Sequence, residues 1–426
     1  MKQILCLLTA AALAFLTSCA QPIVSGSSEQ PVSESSRADS SSGSSSLSSS
    51  DKESQPVYSL DNMNIIDMDG VAEKATAQTQ SLNDRLFLVR EEEEGTLTEP
   101  SLYGDIMVWA ENGGEEAVVY SYCFSDGTLS KMTARTGAII SKVLLAGEVY
   151  WLESDSGQAG SRLVSYDPDT EELSFLSPVS KDGVITDFII GENQYPMVWI
   201  EEASSGRVLC ICDYYRGIIK DTFPSENAVL GEQGLAYLDT VSGVRLIYQV
   251  TGSGLNGDNF KVPYYGSVLA EEGELSHISA GGDYLSYTVQ NKSLDYSSCI
   301  YDLKNNLCYR SAKECLGIAD SRYAVQKDKD GSVWLFDLNS RKAAEYFQAE
   351  ENSVDISSAA YSRVLLYGTE KDALSAISGK DGHSTGGPLV KEVKRILYGR
   401  RSVTGSDGSQ KQAVYYLELP PEDEKN

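Results

Sequence analysis

Between residues 106 and 405 an apolar run with a large or aromatic centre returns at a nearly constant interval. The copies are IMVWAE around Trp109, VYWLES around Trp151, MVWIEE around Trp199, LAYLDT around Tyr237, YLSYTV around Tyr287, YAVQKD around Val325, VLLYGT around Tyr367 and RRSVTG around Val403. Their seven intervals average about 42 residues. Within each run apolar and polar residues alternate, and Gly, Asn, Asp and Ser punctuate the gaps, which predicts short strands joined by hairpins. In several copies a second apolar run follows and ends in Asp at a turn: LVSYDPDTEEL at Asp167, LCICDYYRGII at Asp213, SCIYDLKNNLC at Asp302 and VWLFDLNSRKA at Asp337. Asp recurs there because its carboxylate, at the first turn position, bonds the backbone two residues on and closes the hairpin.

Repeats of four short strands at this period predict an all-β fold, a β-propeller. The segments VWLFDLNSRKA and LVSYDPDTEEL resemble the strand-turn of WD-repeat and TolB-type propellers, over roughly residues 85 to 420. What the resemblance implies is the architecture. Eight candidate second strands predict eight blades, with seven as the alternative. The last copy, residues 393–419, is one strand short, and residues 86–90 form an isolated strand expected to complete that sheet and close the ring. The competing architectures are a pair of β-sandwiches or a two-domain β protein, and, less favoured for want of capping repeats, a solenoid.

Ahead of this body the chain opens with Lys2, an apolar run over residues 4–15 that is too short to span a bilayer, and then Leu16-Thr17-Ser18-Cys19. Small residues before a single cysteine resemble the lipobox of bacterial lipoproteins. That resemblance implies cleavage before Cys19, acylation of its thiol and lipid attachment to a membrane; an ordinary cleaved secretion signal is the alternative. A diacylated cysteine buries many methylenes at about 0.8 kcal/mol each, sufficient for anchoring. From residue 24 to residue 55 Ser dominates, including SSSGSSSLSSSDKES, a composition expected to stay disordered. As a coil of this length it spans roughly 30–35 Å. The expected organisation is therefore a signal peptide (1–18), a Ser-rich tether (19–56), a short N-terminal segment (57–84) with helix formers at residues 71–75, a propeller (85–420) and an acidic tail (421–426). A tether able to cross a wall layer favours a Gram-positive source, at the extracytoplasmic face of the cell membrane.

Charge narrows the partners. With 62 acidic and 35 basic residues the net charge is −27, which argues against nucleic acid and bare anionic lipid headgroups. Beyond Cys6 and Cys19, six cysteines are spread over the body: Cys123, Cys210, Cys212, Cys299, Cys308 and Cys315. They are too few for a disulfide scaffold, and small buried hydrophobes are their expected role. Cys299 and Cys308 fall on two arms of one hairpin, where a turn at Asn305-Asn306 would set Cys299 opposite a residue near 312. Two histidines, His277 and His383, leave no zinc site of recognised spacing.

Motifs for chemistry are few. Neither a nucleophile elbow, a P-loop nor HExxH occurs. Gln326-Lys327-Asp328-Lys329-Asp330-Gly331 partly matches a calcium loop, but Gln at its first position makes a hairpin turn the better reading. Ser125-Asp126-Gly127-Thr128 likewise reads as a turn rather than an Asp-box. Two aromatic doublets, Tyr214-Tyr215-Arg216 and Tyr264-Tyr265, are the candidate ligand-binding residues, because flat rings stack while their hydroxyls reach water. Expected, then, is a membrane-anchored, non-catalytic binding or scaffolding module for a protein or glycan, with no cofactor or metal and a monomeric body. Its alternative is an extracellular glycan- or peptide-active enzyme with carboxylates in the central funnel, the catalytic residues being unassigned. A third is a sensor or assembly factor working with a membrane protein.

Overall fold

The computed structural model describes residues 63–71, 86–92, 95–155, 161–191, 197–213, 218–224, 228–231, 236–241, 244–249, 264–267, 274–281, 284–293, 295–319, 322–347, 355–356, 360–367, 390–404 and 408–418. β1 (Asn64–Asp67), a one-turn helix α1 (Met68–Val71) and β2 (Leu86–Glu92) precede the first blade. Blade 1 holds β3 (Thr96–Leu97), β4 (Ser101–Tyr103), β5 (Ile106–Gly113), β6 (Glu116–Cys123) and β7 (Thr128–Thr136). Blade 2 runs through β8 (Ala138–Ala146), β9 (Glu148–Asp155), β10 (Ser161–Asp167) and β11 (Glu172–Leu176). Blade 3 comprises β12 (Val184–Ile190), β13 (Met197–Ala203), β14 (Gly206–Asp213) and β15 (Ile218–Pro224), and blade 4 comprises β16 (Val229–Leu230), β17 (Ala236–Val241), β18 (Val244–Gln249) and β19 (Tyr264–Ser267). Blade 5 follows with β20 (Glu274–Gly281), β21 (Tyr284–Gln290), β22 (Tyr296–Asp302) and β23 (Leu307–Ser311), and blade 6 with β24 (Glu314–Ala319), β25 (Tyr323–Lys327), β26 (Val333–Asp337) and β27 (Lys342–Phe347). The last strands are β28 (Asp355–Ile356), β29 (Ala360–Tyr367), β30 (Val390–Thr404) and β31 (Gln410–Glu418).

The fold is an all-β propeller, but the expected blade count, eight with seven as the alternative, is corrected. Among the described residues six blades are cut from consecutive chain, and one further sheet is assembled from both ends of it, in the order β2-β31-β30 with β28 and β29 both on the far side of β30. The miscount has a physical source. Tyr367 on β29 and Val403 on β30 read as the centres of two blades, yet Ala360↔Tyr398 through Tyr367↔Val390 pair these two strands within one sheet. Either arm of a hairpin shows the same apolar alternation, so periodicity cannot tell a neighbour from a repeat. β2 pairs antiparallel with β31 from Leu86↔Leu417 to Glu92↔Gln412, so the N-terminal strand does lie in the closing sheet.

The tryptophan centres repeat because each of the three fills the gap to the sheet before it. Trp109 packs with Ile396, Val414 and Tyr416 of the closing sheet. Trp151 packs with Val108 and Val119 of blade 1, and Trp199 with Tyr150 and Leu152 of blade 2. Their neighbours on the strand face the other way, as Val198 and Ile200 do toward Leu230 of blade 4. Both faces of a middle strand are thus buried, and each large side chain contributes about 2–3 kcal/mol.

Three of the four Asp-turns form as the sequence suggests, and the turn after Asp213 lies outside the described residues. Asp167 accepts the backbone N–H of Asp169 and Thr170, and Asp337 that of Asn339 and Ser340. Asp302 holds Asn305 through its backbone N–H and its side-chain amide. Each turn ends on a left-handed residue: Glu171 at φ 60°, Asn306 at 55° and Arg341 at 57°. The loop from Asp302 sets Cys299 opposite Arg310, not near 312, and Tyr301 opposite Cys308. Cys210, Cys212, Cys299, Cys308 and Cys315 are buried and Cys123 is partly so, and none of the six is in a disulfide. α1 ends at Val71, and the rest of the helix formers at residues 71–75 fall outside the described set with residues 72–85, as do the leader, Cys19, the tether and the acidic tail.

Adjacent blades are joined by two kinds of bond. At the blade 1–2 joint, Glu153 of β9 is fully buried and accepts hydrogen bonds from Arg135 at 2.8 and 3.0 Å, Arg162 at 2.7 Å and the Trp151 indole at 2.8 Å. Glu201 of β13, equally buried, accepts the backbone N–H groups of Val179 and Ser180 at 2.7 Å each, on the connection from blade 2. Burial pushes both carboxyls up, but these bonds outweigh it and hold both below the usual glutamate range. At the blade 5–6 joint one buried network is made of neutral groups. Thr288 and Ser298 hydroxyls accept the Cys315 backbone N–H at 3.0 and 2.8 Å, and donate to the carbonyls of Cys315 at 3.0 Å and Lys313 at 2.6 Å.

Candidate functional site

In each consecutive blade the first strand leads the hydrogen-bonded order, and these leading strands touch the next blade: β4 meets β8, β8 meets β12, β12 meets β16, and β20 meets β24. They therefore surround the axis. In blades 1, 2, 3, 5 and 6 they are irregular at nearly one level, within two residues of the large apolar centre on the second strand, whereas β16 of blade 4 pairs without a register shift. A bulge falls between Ile140 and Lys142 opposite Glu153 and Leu152, and another between Ile185 and Asp187 opposite Glu201 and Ile200. In blade 5 the register slips between Ser276 and Ser279, and in blade 6 between Cys315 and Gly317. In blade 1 the strand breaks altogether between β3 and β4. Bulges re-aim side chains and gather where a sheet serves a site.

Hydroxyls mend the ladder at the interruptions. Thr98 accepts the Ala110 N–H at 2.9 Å, while Ser141 donates to the Leu152 carbonyl and Thr186 to the Ile200 carbonyl, each at 3.4 Å. In all three cases the partner is the residue just after the Trp. Beside these hydroxyls stand four charged or titratable side chains. Lys142 of β8 bonds Asp187 of β12 at 2.9 Å and lies over the Phe188 ring at 5.6 Å. His277 of β20, at the unusual φ of 51°, bonds Glu314 of β24 at 2.9 Å. Each pair links neighbouring blades and is partly exposed. The belt thus offers hydroxyls and both signs of charge, with each acid already bonded to a basic side chain. Such a surface has the chemistry to exchange one hydrogen bond for another with a polar group.

Of the residues singled out in the sequence, Tyr214, Tyr215 and Arg216 lie outside the described residues. Tyr264 and Tyr265 belong to β19, the outer strand of blade 4, with backbones opposite Tyr248 and Ile247. The backbone thus puts them at the blade's outer edge and the belt at the axis. The segment with partial calcium-loop spacing is the β25–β26 hairpin, whose turn bonds Asp328 to Gly331 and Ser332. Ser125-Asp126-Gly127-Thr128 closes β6 onto β7 through Gly127 N–H to the Cys123 carbonyl and Thr128 N–H to Asp126. The belt itself escaped the sequence reading. Its signal is a hydroxyl residue 10 to 13 positions before the Trp, as in Thr98, Ser141 and Thr186.

No family model matches the chain, and no curated protein does. Among solved structures, the chain is similar to the β-propeller domain of the Trilobed protease from Pyrococcus furiosus, at 8% identity and a TM-score of 0.48, covering 78% of this chain and 97% of that one. An oligogalacturonate lyase in complex with manganese gives 13% identity and a TM-score of 0.47 over 79% of this chain and 98% of the other. TolB from Acinetobacter baumannii gives 12% identity and a TM-score of 0.35 over 50% and 53%.

Proposed function

We propose that this chain is an extracytoplasmic lipoprotein, held to the cell membrane through Cys19 and a Ser-rich tether, whose propeller is a non-catalytic binding module for a protein or glycan partner. The reading rests on the axial belt. Interrupted leading strands bring Thr98, Ser141, Thr186, Lys142, Asp187, His277 and Glu314 to one level, and the two acids there are paired with bases rather than with each other. A glycosidase site calls instead for two carboxyls that differ in protonation. Bonded pairs of opposite sign, set among hydroxyls, suit recognition of a polar ligand. The lipid would confine the module to two dimensions and raise its effective concentration toward neighbouring membrane proteins.

Two experiments test the parts separately. Cys19→Ala should release the chain into the medium or leave its leader uncut, and normal processing with full membrane retention would contradict the anchor. For binding, the purified chain is screened on a glycan array and by pull-down from crosslinked intact cells. Asp187→Ala should weaken the captured interaction about tenfold or more, as loss of a charge-assisted contact does. An unchanged interaction would remove the belt from the site.

A further inference from the structure

β1 stands apart from every other strand described. It pairs parallel to its neighbour, along Asn64↔Leu307, Ile65↔Cys308, Ile66↔Tyr309 and Asp67↔Arg310, where all other described pairings are antiparallel. It completes no hairpin, and it adds a fifth strand to the outer edge of blade 5. Only four residues pair, so main-chain bonds alone make a weak fastening. Side chains supply the rest. Met63 sits buried among Tyr287, Tyr301, Cys299 and Cys308 of blade 5, and Met68 is buried where blades 5 and 6 meet, beside Tyr309 and Phe336. Asp69 then accepts three bonds from the end of β23 and the residues after it: Ser311 hydroxyl at 2.9 Å, Ala312 N–H at 2.6 Å and Lys313 ammonium at 2.8 Å.

We propose that the outer edge of β23 is a strand-acceptor groove for an extended acidic peptide, occupied in this structure by the chain's own residues 63–71. The mode is strand addition, in which main-chain pairing gives general affinity and side-chain pockets choose the sequence. The groove is read from its contacts: two apolar pockets take Met63 and Met68, and Lys313 meets Asp69. Asp67 stands opposite Arg310 in the backbone register, and its carboxylate accepts the Asp69 N–H. In a chain of net charge −27 this local basic edge is complementary to an acidic ligand, so a partner segment of the pattern apolar, three spacers, Asp, apolar, Asp fits it. The resident segment competes from within the same chain, so a partner enters when its own segment is held close by.

A labelled synthetic peptide of residues 61–72 serves as the probe, titrated against the full chain by fluorescence anisotropy. In the wild type the groove is filled and binding is weak. In a Met63→Gln, Met68→Gln variant the resident segment is displaced, and saturable binding at least about tenfold tighter is expected. A peptide carrying Asp69→Asn should bind that variant several-fold more weakly. A variant that keeps its far-UV spectrum and cooperative melt but binds no better than the wild type overturns the proposal, as does equal binding of a scrambled peptide. Should the double variant not fold, Asp69→Ala in the full chain is read instead. It leaves both Met pockets filled yet loosens the segment, and peptide affinity above wild type supports the groove whereas unchanged affinity overturns it.

Discussion

The joints of blades 1 to 3 and the joint between blades 5 and 6 solve one problem with opposite chemistry. Both place a polar side chain one or two residues past the aromatic centre at a joint between blades. Glu153 and Glu201 do it as buried anions, the first held by two guanidiniums and the second by two backbone N–H groups. Thr288 does it as a neutral hydroxyl, in a network with Ser298 and Cys315. A buried anion is stable only while its donors stay in place, whereas a hydroxyl carries no charge to solvate. The joints of blades 1 to 3 should therefore answer to acid through these two carboxyls, and the Thr288 network itself should not.

The largest break in that contrast is Glu153→Ala. It strands the Trp151 indole and removes the common acceptor of Arg135 and Arg162, and is expected to cost about 2–4 kcal/mol by denaturant unfolding, below the full cost for a buried pair because both arginines reach solvent. Thr288→Val comes next, leaving the Cys315 N–H one acceptor fewer, at about 1–3 kcal/mol. Acid then separates the two. A carboxyl held below its ordinary value stabilises the fold above the unfolded value, near pH ~4.3, and that contribution is lost as pH falls through the folded value. Thermal midpoints of the wild type and of Thr288→Val should drop together below about pH 4.5, while Glu153→Gln should start lower and fall less steeply. Smallest is Lys142→Met. With Lys142 and Asp187 exposed by 26% and 35%, its effect on stability should stay within about 1 kcal/mol, so any loss of partner capture in that variant reports on binding.

Much of this ring is legible in the residues. Trp109, Trp151 and Trp199 mark second strands because only a large ring spans the gap to the preceding sheet, and Asp167, Asp302 and Asp337 mark turns because a short carboxylate reaches the next N–H groups. The end of the ring was misread at Tyr367 and Val403, whose strands pair with each other. The buried acids were visible as the repeated Trp-x-Glu of residues 109–111, 151–153 and 199–201, but not their partners. Glu153 and Glu201 accept their own indole N–H groups, at 2.8 and 3.5 Å, while the Trp109 N–H has no acceptor among the described residues. The belt was hidden for a different reason. A bulge shifts alternation by one residue, so Lys142 and Asp187 carry no sequence mark of facing each other.

Site-specific photocrosslinking on intact cells tests the axial belt most directly. A photoreactive side chain at Ile139, exposed on the leading strand β8, is compared with one at Leu129, exposed on the outer strand β7. A discrete adduct with one partner from Ile139 and none from Leu129 is the predicted result. Adducts from Leu129 alone, or from both positions equally, would contradict recognition at the axis.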